Sequence, residues 1–186
     1  VISVSFLMLV QADKQELRAG TDASDAGWFT VSYSEVSAAK APGAREKRIM
    51  QLTLFQNKRE LAAGKYCVET NIFSQVPEIS AQGPQSGIAF DHGEIIVRAL
   101  EQLRSVAEDT AIIFQLAPTV FTLTDLQHMY EAVLQRKLIG PNFRRAVQDF
   151  VSPVEVSEAF KAEPRRLRSP QYFKCEPEHF PRGRLS

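Results

Sequence analysis

The sequence is poor in the residue types that build metal and redox sites. It has two cysteines, Cys67 and Cys175, and three histidines, His92, His128 and His179, all widely separated. A metal site or a disulfide framework needs such residues at short, characteristic spacings, so the pattern favours two free thiols in a reducing compartment. We therefore expect no metal ligands in this chain and a cytoplasmic protein.

Long apolar runs and an excess of charge are also missing. No segment reaches the roughly 18 apolar residues that a membrane span requires, so we expect no membrane partner. Lysine plus arginine and aspartate plus glutamate both number 22, which gives a net charge of zero. Residues 122–186 carry 11 basic and 8 acidic residues, against 11 and 14 in residues 1–121. This small basic excess matters because of where its arginines lie.

No catalytic arrangement stands out either. The chain contains no Ser/His/Asp or Cys/His pattern, no phosphate-binding glycine loop and no dense carboxylate cluster. Asp91 and Glu94 flank His92, but their spacing also suits a helix capping box, in which both carboxylates are used to cap the helix. Nothing in these residues supports catalysis, and we therefore expect no catalytic residues in this chain.

The first part of the chain shows mostly the alternation that is typical of strands. The predicted strands cover residues 1–12, 28–33, 49–55 and 65–70. The last two would form a hairpin at about 46–73. Residues 34–45 and 74–88 have the composition of loops. From Asp91 the apolar period changes to about 3.6, which predicts a closing helix over about 91–105.

The second part of the chain predicts a helix-turn-helix. Thr122 is a good N-cap for a first helix, and residues 137–140 break it. Pro141 suits the first turn of a second helix, whose inner face would hold Phe143, Val147 and Phe150. After a connector at 151–164, residues 172–175 have the pattern of a strand that follows a basic tip, which predicts a wing.

The exposed side chains of this unit suit double-stranded DNA. Asn142, Arg144 and Arg145 lie early in the second helix, the part that meets base edges in the major groove. Phosphate contacts are predicted for residues at the end of the first helix and in the wing. These residues are Arg136, Lys137, Arg165, Arg166 and Arg168. The alternative is a solvated basic face on an ordinary helix pair.

Several segments together resemble the Nudix-related transcriptional regulators, a bacterial family known for controlling NAD metabolism. The matching segments are residues 1–10, 25–31 (DAGWFTV), 89–96 (AFDHGEII), 99–104 (ALEQLR), 121–127 (FTLTDLQ), 130–131 and 142–145 (NFRR). The resemblance implies an α+β fold, in which residues 1–105 are the C-terminal part of a Nudix-like α/β sandwich. Residues 106–186 would form the winged helix-turn-helix domain.

The resemblance also implies a homodimeric repressor whose Nudix half senses ADP-ribose or a related nucleotide. The Glu-rich Nudix signature is absent from the sequence. In the family this signature precedes the strand that residues 1–10 resemble, so we expect the chain to begin after it. We expect no cofactor in this chain, and the residues that hold the effector stay unassigned.

Two alternatives remain open at this stage. A longer chain with an intact signature would be a Nudix hydrolase of ADP-ribose-type nucleotides, with the winged helix as an accessory domain. A winged helix can also bind protein only, because one fold serves many functions.

Overall fold

A computed structural model describes residues 5–10, 15–20, 26–41, 45–71, 74–109, 111–156 and 171–176. The chain has an α+β fold and divides into two compact units, residues 1–102 and 103–186. The first unit contains the strands β1 (Thr30–Ala41), β2 (Arg45–Gln56), β3 (Arg59–Asn71) and β4 (Ser74–Ser86). The boundary between the units falls within helix α1 (His92–Asp109). In the described part of the chain, no helix is long and apolar enough to cross a membrane.

The four strands form an antiparallel sheet in chain order, β1-β2-β3-β4. The predicted hairpin is confirmed, because β2 and β3 pair from Arg45↔Asn71 to Gln56↔Arg59. The two turn residues, Asn57 and Lys58, have φ values of 51° and 65°. A two-residue turn with positive φ at both central positions has a backbone twist that matches the right-handed twist of the flanking strands.

Two segments predicted as loops are strands instead. Residues 34–41 continue β1, and residues 74–86 form β4. Both are edge strands, where a proline or a bulge costs little because one side of the strand has no ladder to complete. In β4 the pairing moves from Lys65↔Gln82 to Ala63↔Ser86, and the extra residues include Gly83, with φ of 71°. The loop-forming residues of β4 therefore build a bulge.

The strand predicted over residues 1–12 is wrong for residues 5–10. These residues have no regular structure, and Phe6 and Met8 are 92% and 78% exposed. Alternation favours a strand only when a neighbouring strand pairs with it, and the described sheet begins at β1. The strand that the family resemblance implies for residues 1–10 is therefore absent over residues 5–10.

Helix α1 packs on one face of the sheet and closes the first core. Val97 lies in the same buried cluster as Tyr33, Leu52 and Tyr66. At Gly93 a Cβ atom would lie only 1.7 Å from the Tyr66 hydroxyl, so the helix approaches β3 closely only because this position is glycine. The helix begins at His92, and the Glu94 carboxylate accepts a hydrogen bond from the Ala81 N–H of β4.

The second unit contains the predicted helix-turn-helix and wing strand. A 3-10 helix at Ala111–Gln115 precedes α2 (Leu123–Leu134) and α3 (Gly140–Val147). A second 3-10 turn then carries Phe150, which the sequence placed on α3 itself. The strands β5 (Val151–Val154) and β6 (Tyr172–Cys175) pair antiparallel. Residues 151–154 were predicted as a connector, and that prediction is wrong because they pair with the confirmed strand at 172–175.

A third backbone segment joins these two strands. Phe121 and Phe173 exchange two hydrogen bonds, with N···O distances of 3.0 and 2.8 Å. The residue before the N-cap of α2 is thus tied to β6, and β6 is in turn tied to the chain that leaves α3. The small sheet fixes both ends of the helix pair.

Candidate nucleic-acid interface

Helix α2 starts at the residue that the sequence predicts. The Thr122 hydroxyl accepts a hydrogen bond from the Asp125 N–H at 3.1 Å, and the Asp125 carboxylate accepts one from the Thr122 N–H at 3.1 Å. This capping box satisfies two backbone donors that a helix start leaves open.

The end of α2 differs from the prediction. Residues 137–140 were expected to break the helix through Gly140, but the helix ends at Leu134 and Gln135 takes the left-handed conformation with φ of 53°. Gly140 is the first residue of α3, and Pro141 follows in its first turn, as predicted.

The turn between the two helices is organised around Glu131, a carboxylate that is only 8% exposed. It accepts hydrogen bonds from Lys137 Nζ at 2.8 Å, Leu138 N at 3.0 Å and Gln127 Nε2 at 3.0 Å. The same Gln127 amide also donates to the Leu138 carbonyl at 3.1 Å. These three donors lower the pKa of Glu131 from 4.5 to about 2, with Lys137 contributing most.

Sequence analysis missed Glu131. The signal available was its position on α2, four residues after Gln127 and directly after the buried Tyr130. A carboxylate beside an apolar face needs donors, and the six-residue separation from Lys137 could have suggested one.

Helix α3 is divided into a buried and an exposed face. Phe143 and Val147 are 7% and 1% exposed, whereas Asn142, Arg144 and Arg145 are exposed. At about 100° per residue, Arg145 lies opposite Phe143, and Asn142 and Arg144 lie on either side of that outer face. All three polar side chains are therefore available to a partner while the helix stays packed.

An aromatic cluster holds α3 in place. The Tyr130 ring packs edge to face on Phe143 at 5.5 Å and on Phe114 at 6.2 Å. Phe114 also contacts Phe121 and Phe150 at 6.3 and 6.4 Å. Such pairs favour a defined ring geometry beyond simple burial, so the orientation of the exposed face follows from the core beneath it.

The other predicted contact residues have different surroundings. Arg136 and Lys137 are both exposed just after α2, and they line one cavity together with Asn142. Lys137 forms an ion pair with Glu131, so its charge is partly neutralised within the turn. Arg165, Arg166 and Arg168 lie outside the described residues, and the described wing consists of β5 and β6.

Comparison with known proteins agrees with this geometry. A family model described as the NrtR DNA-binding winged helix domain matches residues 113–174. This segment is similar to the NrtR winged helix. It includes both helices of the helix-turn-helix, the exposed arginines of α3, strand β5 and all but the last residue of β6.

Individual proteins are similar to parts of this chain. The ADPR responsive transcriptional repressor NtrR of Acinetobacter baylyi is 40% identical over 58 residues, which is 31% of this chain and 23% of that protein. Shewanella oneidensis NrtR complexed with a 27mer DNA is 28% identical, with a TM-score of 0.39, over 50% of this chain and 42% of that one. For Shewanella oneidensis NrtR without DNA the values are 26%, 0.37, 56% and 48%.

The chain therefore spans about a quarter of the curated relative and less than half of each solved NrtR chain. The similarity to the curated relative spans 58 residues, and the matching family model describes the winged helix domain.

Proposed function

We propose that this protein is a transcriptional regulator that binds double-stranded DNA through its NrtR-type winged helix. The observation that carries the proposal is the division of α3, which buries Phe143 and Val147 and exposes Asn142, Arg144 and Arg145. Arginine pairs bidentately with guanine O6 and N7, and asparagine with adenine N6 and N7. The match of residues 113–174 to a DNA-binding domain supports the same function.

In this proposal the exposed residues have two roles. Asn142, Arg144 and Arg145 contact base edges, while Arg136 and Lys137 hold phosphates. The wing arginines, Arg165, Arg166 and Arg168, contact the backbone or the minor groove. Residues 106–186 are the DNA-binding domain, and residues 1–105 are part of a Nudix-like domain.

We also propose that the complete regulator is a cytoplasmic homodimeric repressor that responds to ADP-ribose or a related nucleotide. The name of the Acinetobacter baylyi relative supports the effector class. A two-fold dimer predicts a palindromic site with half-sites about one helical turn, 10–10.5 base pairs, apart or a multiple of it. Selection of binding sites from random DNA with the full chain tests this spacing directly.

The decisive experiment removes two arginines from the exposed face of α3. We expect the double variant Arg144→Ala/Arg145→Ala to bind the selected duplex about 30- to 20,000-fold more weakly, since each base contact contributes roughly 1–3 kcal/mol. Both residues are exposed, so the unfolding transition should stay unchanged.

The matched control is Lys58→Ala/Arg59→Ala, which removes the same charge from the exposed β2–β3 turn. It should bind the duplex as the unmodified chain does. Normal binding by the Arg144/Arg145 variant would refute the proposed recognition helix. An equal loss of DNA affinity in both variants would show that the interaction depends on net charge alone.

A further inference from the structure

The winged-helix unit contains a cavity beside the proposed DNA contacts. Its volume is about 320 Å³, and it lies between the end of α2, the turn and α3. The buried side chains of Tyr130, Phe143 and Val147 contribute to its lining, and so do the exposed residues Arg136, Lys137 and Asn142. The cavity thus combines an apolar floor with a polar, cationic rim.

These dimensions and this chemistry fit a small ligand. Binding sites for small molecules start at about 300 Å³ and are mostly apolar, with a few convergent polar groups. None of the described residues that line this cavity is an aspartate or a glutamate. Glu131, the partner of Lys137, lines an adjoining depression on the side of His128, and Arg136 and Lys137 line both hollows. Because the carboxylate itself does not line the cavity, the rim of the cavity favours a negative group.

We propose that this cavity binds a compact apolar molecule that carries one anionic group. The apolar part would occupy the floor, and a carboxylate or phosphate would accept hydrogen bonds from Arg136, Lys137 and the Asn142 amide. The same three residues are assigned to DNA in the proposed function, on which the next step rests. A bound anion occupies their donors and makes ligand and DNA compete.

Binding to the cavity can be tested without DNA. The probes are 1-naphthoate and 1-naphthyl phosphate, which distinguish a carboxylate from a phosphate head, and the neutral 1-naphthamide. Titration into the ¹⁵N-labelled full chain should shift the amides of residues 139, 142 and 146. We expect a dissociation constant on the order of 1 mM for at least one anion and about tenfold weaker binding of the amide.

A variant that fills the cavity provides the control. Ala146 lines the cavity and is exposed, so Ala146→Trp should abolish these shifts. If the large tryptophan destabilises α3, the smaller change Ala146→Leu should still weaken binding. Ala39→Trp places the same ring on an exposed position of β1 in the first unit, away from this cavity, and should leave binding unchanged. Equal binding of anion and amide, or full binding by both Ala146 variants, would overturn the proposal.

Competition is measured separately with the selected duplex. Saturating anion should weaken DNA binding by the unmodified chain and by Ala39→Trp. Anion binding without this effect would refute competition and leave the site in place. A chain that binds anion and no DNA would refute the proposed function alone.

Discussion

Each unit of the protein contains a buried carboxylate beside a basic side chain, and the two pairs differ in where the cation lies. In the first unit, Glu101 on α1 is 9% exposed and Arg48 on β2 is 19% exposed. In the second unit, Glu131 is equally buried, but Lys137 is 89% exposed. The N···O distances are similar, 2.6 and 2.8 Å.

This difference assigns the pairs to different tasks. Glu101 also accepts a hydrogen bond from the Tyr33 hydroxyl at 2.8 Å, so it connects α1 to two strands inside the core. An enclosed pair of this kind can only support the fold. Glu131 instead holds the turn between α2 and α3 through its hydrogen bonds, and the Lys137 ammonium stays at the surface. That ammonium can still reach an anionic partner.

The largest effect is expected from breaking the enclosed pair. Arg48→Met leaves the Glu101 charge buried without its cation, which should destabilise the first unit by about 3–5 kcal/mol. Trp28, the single tryptophan, belongs to that unit, so its fluorescence during urea unfolding should report the loss. The exposed control Arg59→Met should change the transition little.

A second change should reverse most of this loss. Adding Glu101→Gln removes the orphan charge and keeps an oxygen for the Tyr33 hydroxyl, so the double variant should be more stable than Arg48→Met alone. A double variant less stable than the single one would contradict the assignment of the pair as a purely structural ion pair.

A smaller effect is expected at the second carboxylate, and it should appear in DNA binding and in pH dependence. Glu131→Gln retains an acceptor for the Leu138 N–H but loses the charge that holds Lys137. If the turn positions α3, affinity for the selected duplex should fall roughly tenfold. Glu155→Gln, an exposed change in the same unit, should have no such effect.

The pH test for Glu131 has a defined direction. Its pKa is lower in the folded protein, about 2, than its ordinary value of 4.5. The unfolded chain therefore binds the proton first, and the stability that Glu131 contributes is fully present above pH 4.5 and disappears as the pH falls towards 2. Glu131→Gln should flatten the stability profile of the winged-helix unit in that window. An unchanged profile would show that Glu131 is not held by these donors.

The two units also differ in how well the sequence predicts them. Helix α2 was predicted to the residue at its start because the Thr122–Asp125 capping box is a local signal. Strand β4 and the second part of β1 were missed because serine, proline and glycine favour loops in isolation. Pairing with β2 and β3 makes these segments strands in the folded protein, and that pairing depends on residues distant in the sequence.

The candidate site shows the same division. The exposure of Asn142, Arg144 and Arg145 follows from helical periodicity, so the sequence alone places them on one surface. The ion pair of Lys137 depends on a left-handed residue at Gln135, which no composition rule indicates. The sequence predicts Lys137 as a phosphate contact, and only the folded turn shows that Lys137 also pairs with Glu131.

The smallest expected effect concerns the Lys137 ammonium and the Glu131 carboxylate beside it. A side chain that neutralises one phosphate contributes about 0.9 to the slope of log K against log salt. Because Lys137 already has a carboxylate 2.8 Å away, its binding to a phosphate should release less counterion than this full value. Lys137→Met should therefore lower the slope by less than about 0.5, measured by fluorescence anisotropy from 50 to 200 mM salt. In a Glu131→Gln background the ammonium loses its carboxylate, so the effect of Lys137→Met on the slope should rise towards about 0.9. The same change in slope in both backgrounds would mean that Glu131 does not compete with DNA for Lys137, and the two ion pairs would then differ in exposure but not in function.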